Sequence, residues 1–300
     1  MRFKILPCLM AVALCSCGSA EGEKEMKTYS NEVQVVVILG QSNAEGHSWV
    51  QYLPKTVGEE RAQKFNNGIE NVKISYNLMN GARTSDGNFV PVKTGQGNNE
   101  ERFGLELGIA ETIGNVDPTK PVYLIKYAYG GTNLYSNWRS KTSKNTGYLY
   151  NGAVAYVLEQ CRKLEEMDLF PTINAICWMQ GEDDSNSPSY GEYETLERNF
   201  KNDLRNDFSY YKPLDKEIGF VDGYISDSPA WQHYVEINNA KLNLSKEDEN
   251  HVIIDSIAEN LKYNAEPLGG PDIYHFDSGS EVKLGNLFAE KIIANFIDID

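Results

Sequence analysis

Thiol and positive charge are both scarce in this chain, and each scarcity removes a class of function. There are four histidines and five cysteines, and 28 Lys and Arg stand against 43 Asp and Glu, a formal charge of −15. So acidic a chain repels phosphate backbones, which excludes nucleic acid as a partner. A disulfide framework is excluded too, because Cys8, Cys15 and Cys17 fall in the N-terminal leader and only Cys161 and Cys177 remain. Those two sit in helix-like and strand-like apolar patterns; two buried thiols are expected, while an export compartment also permits a disulfide between them. The apolar run that opens the chain, residues 5–14, follows Arg2 and Lys4 and is too short to cross a bilayer, so it reads as a secretory signal.

That run ends in Leu14-Cys15-Ser16-Cys17, which resembles the lipobox of bacterial lipoproteins. The resemblance implies cleavage after residue 16, a lipid on Cys17, and an exported lipoprotein held at the outer membrane, on its periplasmic face or the cell surface. Cleavage before Cys15 would put bulky Leu14 where a small residue is needed. Residues 17–32 then form the lipidated cysteine and a flexible tether, polar and carrying Glu21, Glu23 and Glu25 without an apolar period. Residues 33–300 show no repeat, low-complexity tract or Pro/Gly/Ser-rich break, and are expected to form one domain.

Apolar, β-branched runs recur at 33–39, 72–76, 121–127, 173–179, 217–221 and 252–254, as buried parallel strands would. Helical spacing relates Phe103, Leu107, Ala110 and Ile113, and again Ala153, Val157, Cys161 and Leu164; further helices are expected over 190–208, 231–244 and 280–296. Strands alternating with helices imply right-handed crossovers and a three-layer α/β/α sandwich. Ligands of such sheets bind beyond the carboxyl ends of the strands. The glycine- and asparagine-rich stretch 77–102 is expected at the surface or as a lid.

The chemistry gathers at predicted strand ends. Gly40-Gln41-Ser42-Asn43 follows the first run and puts a hydroxyl at a strand-to-helix turn, where free backbone N–H groups can face an oxyanion. Alone, such a serine is an ordinary helix cap. Far along the chain, Asp272-Ile273-Tyr274-His275 provides a carboxylate three residues before an imidazole, able to fix its tautomer and leave the other nitrogen for a serine proton. Of the other histidines, His47 lies five residues past Ser42 with only Glu45 near it, His233 falls in a helical pattern and His251 opens a strand; structural or exposed positions are expected for all three. Gly130 and Gly131 follow the third run, where backbone N–H groups can approach a ligand or simply make a tight turn. Gln180, Glu182, Asp183 and Asp184 follow the fourth, offering an amide donor or a solvated acidic loop.

The ordered set GQSN at 40–43, GGT at 130–132, WMQGEDD at 178–184 and DIYH at 272–275 resembles the sialate O-acetylesterase and acetylxylan esterase branch of the SGNH hydrolases. The resemblance spans roughly residues 33–297. It implies a flavodoxin-like parallel sheet, no metal and no cofactor, with Ser42 as nucleophile, His275 as general base and Asp272 as its orienting partner. The oxyanion hole would comprise the Ser42 N–H, an N–H from Gly130 or Gly131, and Gln180, which stands where many SGNH enzymes have asparagine. Gln41, Asn43 and Glu182 would support the site, Trp138 would line the pocket, and Phe103 would pack in the core. The implied reaction is two-step hydrolysis of an O-acetyl ester on carbohydrate, of the acetylated xylan or O-acetylated sialic acid kind, through an acetyl-enzyme. Two rivals remain at this stage: a glycosidase using Glu182, Asp183 and Asp184, and a non-catalytic glycan-binding lipoprotein, suggested by 18 Tyr and 4 Trp.

Overall fold

Val33, Val35, Val36, Val37, Ile38 and Leu39 are all buried. A strand hidden on both faces belongs in the middle of a parallel sheet, and β1 (Glu32–Gly40) lies there. The computed structural model describes residues 31–117, 120–266 and 270–297, so the expected signal, Cys17 and nearly all of the tether lie outside the described residues. Residues from Asn31 onward form one compact unit. The further strands of its main sheet are β2 (Ile69–Leu78), β3 (Arg83–Thr84), β4 (Val90–Val92), β5 (Val122–Ala128), β6 (Phe170–Met179), β7 (Gly219–Gly223) and β8 (His251–Ile254), and Ser48–Trp49 pairs with Arg102–Phe103 in a separate short ribbon.

Across the sheet the order is β8-β7-β6-β1-β5-β2-β3, with β4 also on β2. All six expected strands are present and pair in parallel. Numbered by themselves they run 2-3-1-4-5-6, so the doubly wound, three-layer plan holds, with the first and third strands exchanged relative to the 2-1-3-4-5 order of flavodoxin. The two short strands β3 and β4 are antiparallel additions at the edge. They come from the stretch expected as a surface or lid segment, which instead extends the sheet and is tied down where Arg83 Nε donates to Gly97 O at 2.8 Å.

The helices are α1 (Ser42–Glu45), α2 (Leu53–Val57), α3 (Glu59–Asn67), α4 (Glu106–Gly114), α5 (Tyr148–Glu166), α6 (Glu182–Ser185), α7 (Tyr193–Asp207), α8 (Tyr234–Glu247) and α9 (Ser278–Asn295). Strand alternation sorts the long ones onto two faces. Trp178 on β6 meets Phe200 of α7, ring centroids 4.4 Å apart, and Tyr150 of α5 packs on the same Phe200. Its neighbour Met179 points the other way and shares the space over Gly223 with Phe288 of α9. On that second face α4 and α9 touch backbone to backbone. A Cβ at Gly108 would lie 2.1 Å from Val282 O, and one at Gly285 would lie 2.2 Å from Leu105 O. Cys161 and Cys177 are buried free thiols, as expected.

Candidate active site

Three neighbouring strands end at one level. Gly40 of β1 is in register with Ala128 of β5 on one side and Met179 of β6 on the other. Tyr129 N donates to Gly40 O and Gln41 N to Met179 O, so the segments that follow emerge side by side. Gly40 has φ +145°, and a Cβ there would stand 2.1 Å from Met179 O; only glycine permits the turn into Ser42. In α1 both Ala44 N and Glu45 N donate to Gln41 O. Among the described residues the N–H groups of Ser42 and Gly131 have no protein acceptor, which leaves both free for a ligand.

The histidine arrives from the turn just before α9. Asp272 Oδ1 accepts from the backbone N–H groups of Tyr274 and His275, and Oδ2 lies 2.9 Å from His275 Nδ1. Partial burial works against the charge on Asp272, but the His275 ring and the two N–H groups outweigh it and hold the carboxyl down to about 2. Asp272 is therefore ionised at every pH where an imidazole titrates. Asn43 fastens this turn to α1, since its Oδ1 accepts from Phe276 N and its Nδ2 donates to Glu182 Oε1 at 2.7 Å. Glu182 is fully buried with Oε2 unpartnered, and burial pushes its carboxyl up, the Asn43 hydrogen bond notwithstanding.

Ser42 and His275 face one cavity of about 340 Å³, together with Gln41, Gly130 and Gly131. No hydrogen bond joins Ser42 to His275, a looseness common before substrate is bound. The wall also includes residues that the sequence did not single out: Met79 and Asn98 from the edge segment, Tyr129, and the aromatic pair Trp231 and Tyr274, with centroids 5.6 Å apart. His47, expected to be structural or exposed, lines the cavity as well, paired with Glu45 and stacked on His275. The Glu45-Gly46-His47 spacing was its only trace in the sequence.

Three expected roles need correction. Gln180 is fully buried and does not reach the cavity. Its Nε2 faces Gln41 Oε1, Thr132 O and Asp184 Oδ2, at 3.1, 3.2 and 2.6 Å, and its Oε1 accepts from Tyr193 Oη, so no donor is left for an oxyanion. Gly130 is likewise committed, donating to Glu45 Oε2 at 2.6 Å, which leaves Gly131 as the free N–H of that pair. Trp138 is buried in the core against Trp178, Tyr127 and Phe200, and acts from below by donating to Thr132 Oγ1. Of the acidic trio, Asp184 is buried and accepts from the N–H groups of Leu134 and Tyr135, and burial raises its carboxyl to about 6. Asp183 alone reaches the cavity wall.

This geometry coincides with a family match. The family described as carbohydrate esterase, sialic acid-specific acetylesterase matches residues 32–294. The fold is similar to that of a protein from Arabidopsis thaliana (TM-score 0.65, 18% identity, covering 88% of this chain and 99% of that one) and to NanS (TM-score 0.62, 16% identity, 88% and 97%). A carbohydrate acetylesterase from Xanthomonas citri is similar over 85% of this chain and 55% of its own (TM-score 0.54, 12% identity). The sequence alone matches no curated protein at a significant level. The chain belongs to the sialic acid-specific acetylesterase family of carbohydrate esterases, and is a carboxylic ester hydrolase acting on O-acetyl groups of carbohydrate.

Proposed function

We propose that the protein is a serine esterase that deacetylates a neutral sugar through an acetyl-enzyme. Ser42 attacks the acetyl carbonyl while His275 takes its proton, and Asp272 holds the imidazole in the tautomer that allows this. The carbonyl oxygen, now negative, is met by the N–H groups of Ser42 and Gly131. His275 then protonates the departing sugar hydroxyl, and water repeats the attack to release acetate. The observation that carries the reading is the opening of Ser42, with its unpaired N–H, and of the Asp272-anchored His275 onto the same cavity.

The substrate class rests on charge. Among the described residues no lysine or arginine lines the cavity, whereas Glu45 and Asp183 do. A sialate carboxylate would find no cation there and two anions nearby. A neutral pyranose suits the wall better, since its apolar face can lie against Trp231 and Tyr274 and its hydroxyls can reach Asn98 and Asp183.

The test has two parts. Ser42→Ala should keep the fold and lose about three to six orders of magnitude in turnover; near-normal acetate release by the purified variant would remove the serine mechanism. Acetylated xylo-oligosaccharides and O-acetylated sialic acid, the latter as free acid and as methyl ester, should then be compared with the parent enzyme. Neutral substrates should be preferred and esterification should improve the sialic acid. Preference for the free acid would overturn the substrate class while leaving the mechanism untouched.

A further inference from the structure

The cavity holds a second imidazole that the proposed mechanism does not use. His47 follows α1 by two residues, where Gly46, at φ +101°, turns the chain back toward the strand ends. Its ring lies on that of His275 with centroids 4.3 Å apart and planes 20° from parallel. Its edges are held as well. Nε2 is 3.3 Å from Glu45 Oε2, and Nδ1 is 3.5 Å from Asn98 Nδ2. The backbone carbonyl of His47 accepts from Arg102 Nη1.

These partners suit one tautomer. An Nε2–H donates to the Glu45 carboxylate and a bare Nδ1 accepts from the Asn98 amide, which is a neutral ring. Burial pulls the imidazole of His47 down and outweighs the hydrogen bond of Glu45, and the neighbouring His275 adds to the depression. A neutral ring is what the base needs beside it, because an imidazolium at 4.3 Å would oppose the positive charge that His275 acquires in the transition state. Glu45 carries the connection further, since the oxygen that meets His47 also accepts the Gly130 N–H.

A covalent tether at Cγ and one hydrogen bond at Nδ1 fix the rotation of the imidazole more firmly than its tilt, which neighbouring faces must limit. Asp272 holds only Nδ1 of His275. We infer that His47 is a positioning residue for the base: its flat neutral face, lying on His275, keeps the His275 ring in the plane from which its free nitrogen addresses Ser42. The inference rests on the serine mechanism proposed above.

Turnover and KM on a small acetyl ester separate this role from others, with active sites counted by stoichiometric organophosphonate labelling. His47→Ala should lower kcat on the order of 10- to 100-fold, as small misplacements of catalytic groups do, with KM within about twofold of the parent. His47→Phe keeps a flat neutral face but no nitrogen; it should recover kcat to within about threefold of the parent. Should the alanine variant not fold, His47→Leu supplies volume without a flat face and should behave as alanine would. An unchanged kcat, a rise in KM alone, or a phenylalanine variant as slow as alanine or leucine would overturn the inference. Activity surviving in Ser42→Ala, by contrast, would remove the serine mechanism itself.

Discussion

At the scale of single residues, Gln180 shows how a side chain can stand at the strand ends beside the cavity without facing it. Its amide joins Gln41, Thr132, Asp184 and Tyr193, which belong to four different segments around the cavity floor. Gln180→Ala leaves several of these buried groups short of a partner and should cost about 2–4 kcal/mol of stability. Turnover should fall as Gln41 and the 129–132 turn loosen. A pure oxyanion donor would lower kcat by about 10²- to 10³-fold with the melting temperature unchanged. Thermal unfolding measured beside kcat therefore decides the matter, and an unaltered melting temperature would restore Gln180 to the oxyanion hole. In the sequence, the strand-end position and the family resemblance point to the donor role. The direction of the amide depends on Tyr193 and Asp184, whose own placement follows from α6 and α7 and is not readable locally. His47 was obscured for a similar reason: its stacking partner is residue 275, and only the folded chain brings the two rings together.

At the scale of elements, the readable features were those written in local periodicity. Each of the six parallel strands carries a β-branched apolar run, so strands and crossovers could be placed from sequence. The edge strands β3 and β4 could not, being two and three residues long within a glycine-rich stretch. Also hidden were the polar ties between elements, of which the one joining α7 to the segment after α8 is testable. Asp248 Oδ2 accepts from Lys201 Nζ at 2.6 Å and Arg205 Nη1 at 2.5 Å, while Arg205 also donates to Ile218 O and Asn250 O. Partial burial opposes the charge on Asp248, but Lys201 and Arg205 overcome it and hold the carboxyl down to about 2, below its ordinary 3.8. A carboxyl depressed on folding contributes stability that is complete above its unfolded value and is lost as pH falls through the folded one. Asp248→Asn should accordingly lower the melting temperature by about 2–4 °C at neutral pH. That gap should close between about pH 4 and pH 2. A gap of constant size down to pH 2 would show that the ion pairs are not its source.

At the scale of the whole molecule, net charge and cavity charge point the same way, and salt can separate them from the chemistry. The chain carries a formal charge of −15, and among the described residues the cavity wall holds two of its carboxylates, Glu45 and Asp183, and no lysine or arginine. An anionic substrate approaches such a surface against its field, whereas a neutral one is indifferent to it. The reach of that field is set by ionic strength, falling from about 30 Å at 10 mM to about 3 Å at 1 M. For an acetylated neutral oligosaccharide, kcat/KM should stay within about twofold over that range, since neither encounter nor binding involves a charge on the ligand. For an acetylated sugar acid, kcat/KM should rise with salt as repulsion is screened, and the rise should be carried by KM because the proposed oxyanion donors, the N–H groups of Ser42 and Gly131, lie inside the cavity. The measurement is a pair of progress-curve series at fixed pH, with the salt varied and acetate release followed. If kcat/KM for the sugar acid falls as salt is added, a cation beyond the cavity wall is attracting it, and the neutral-sugar reading of this site is wrong.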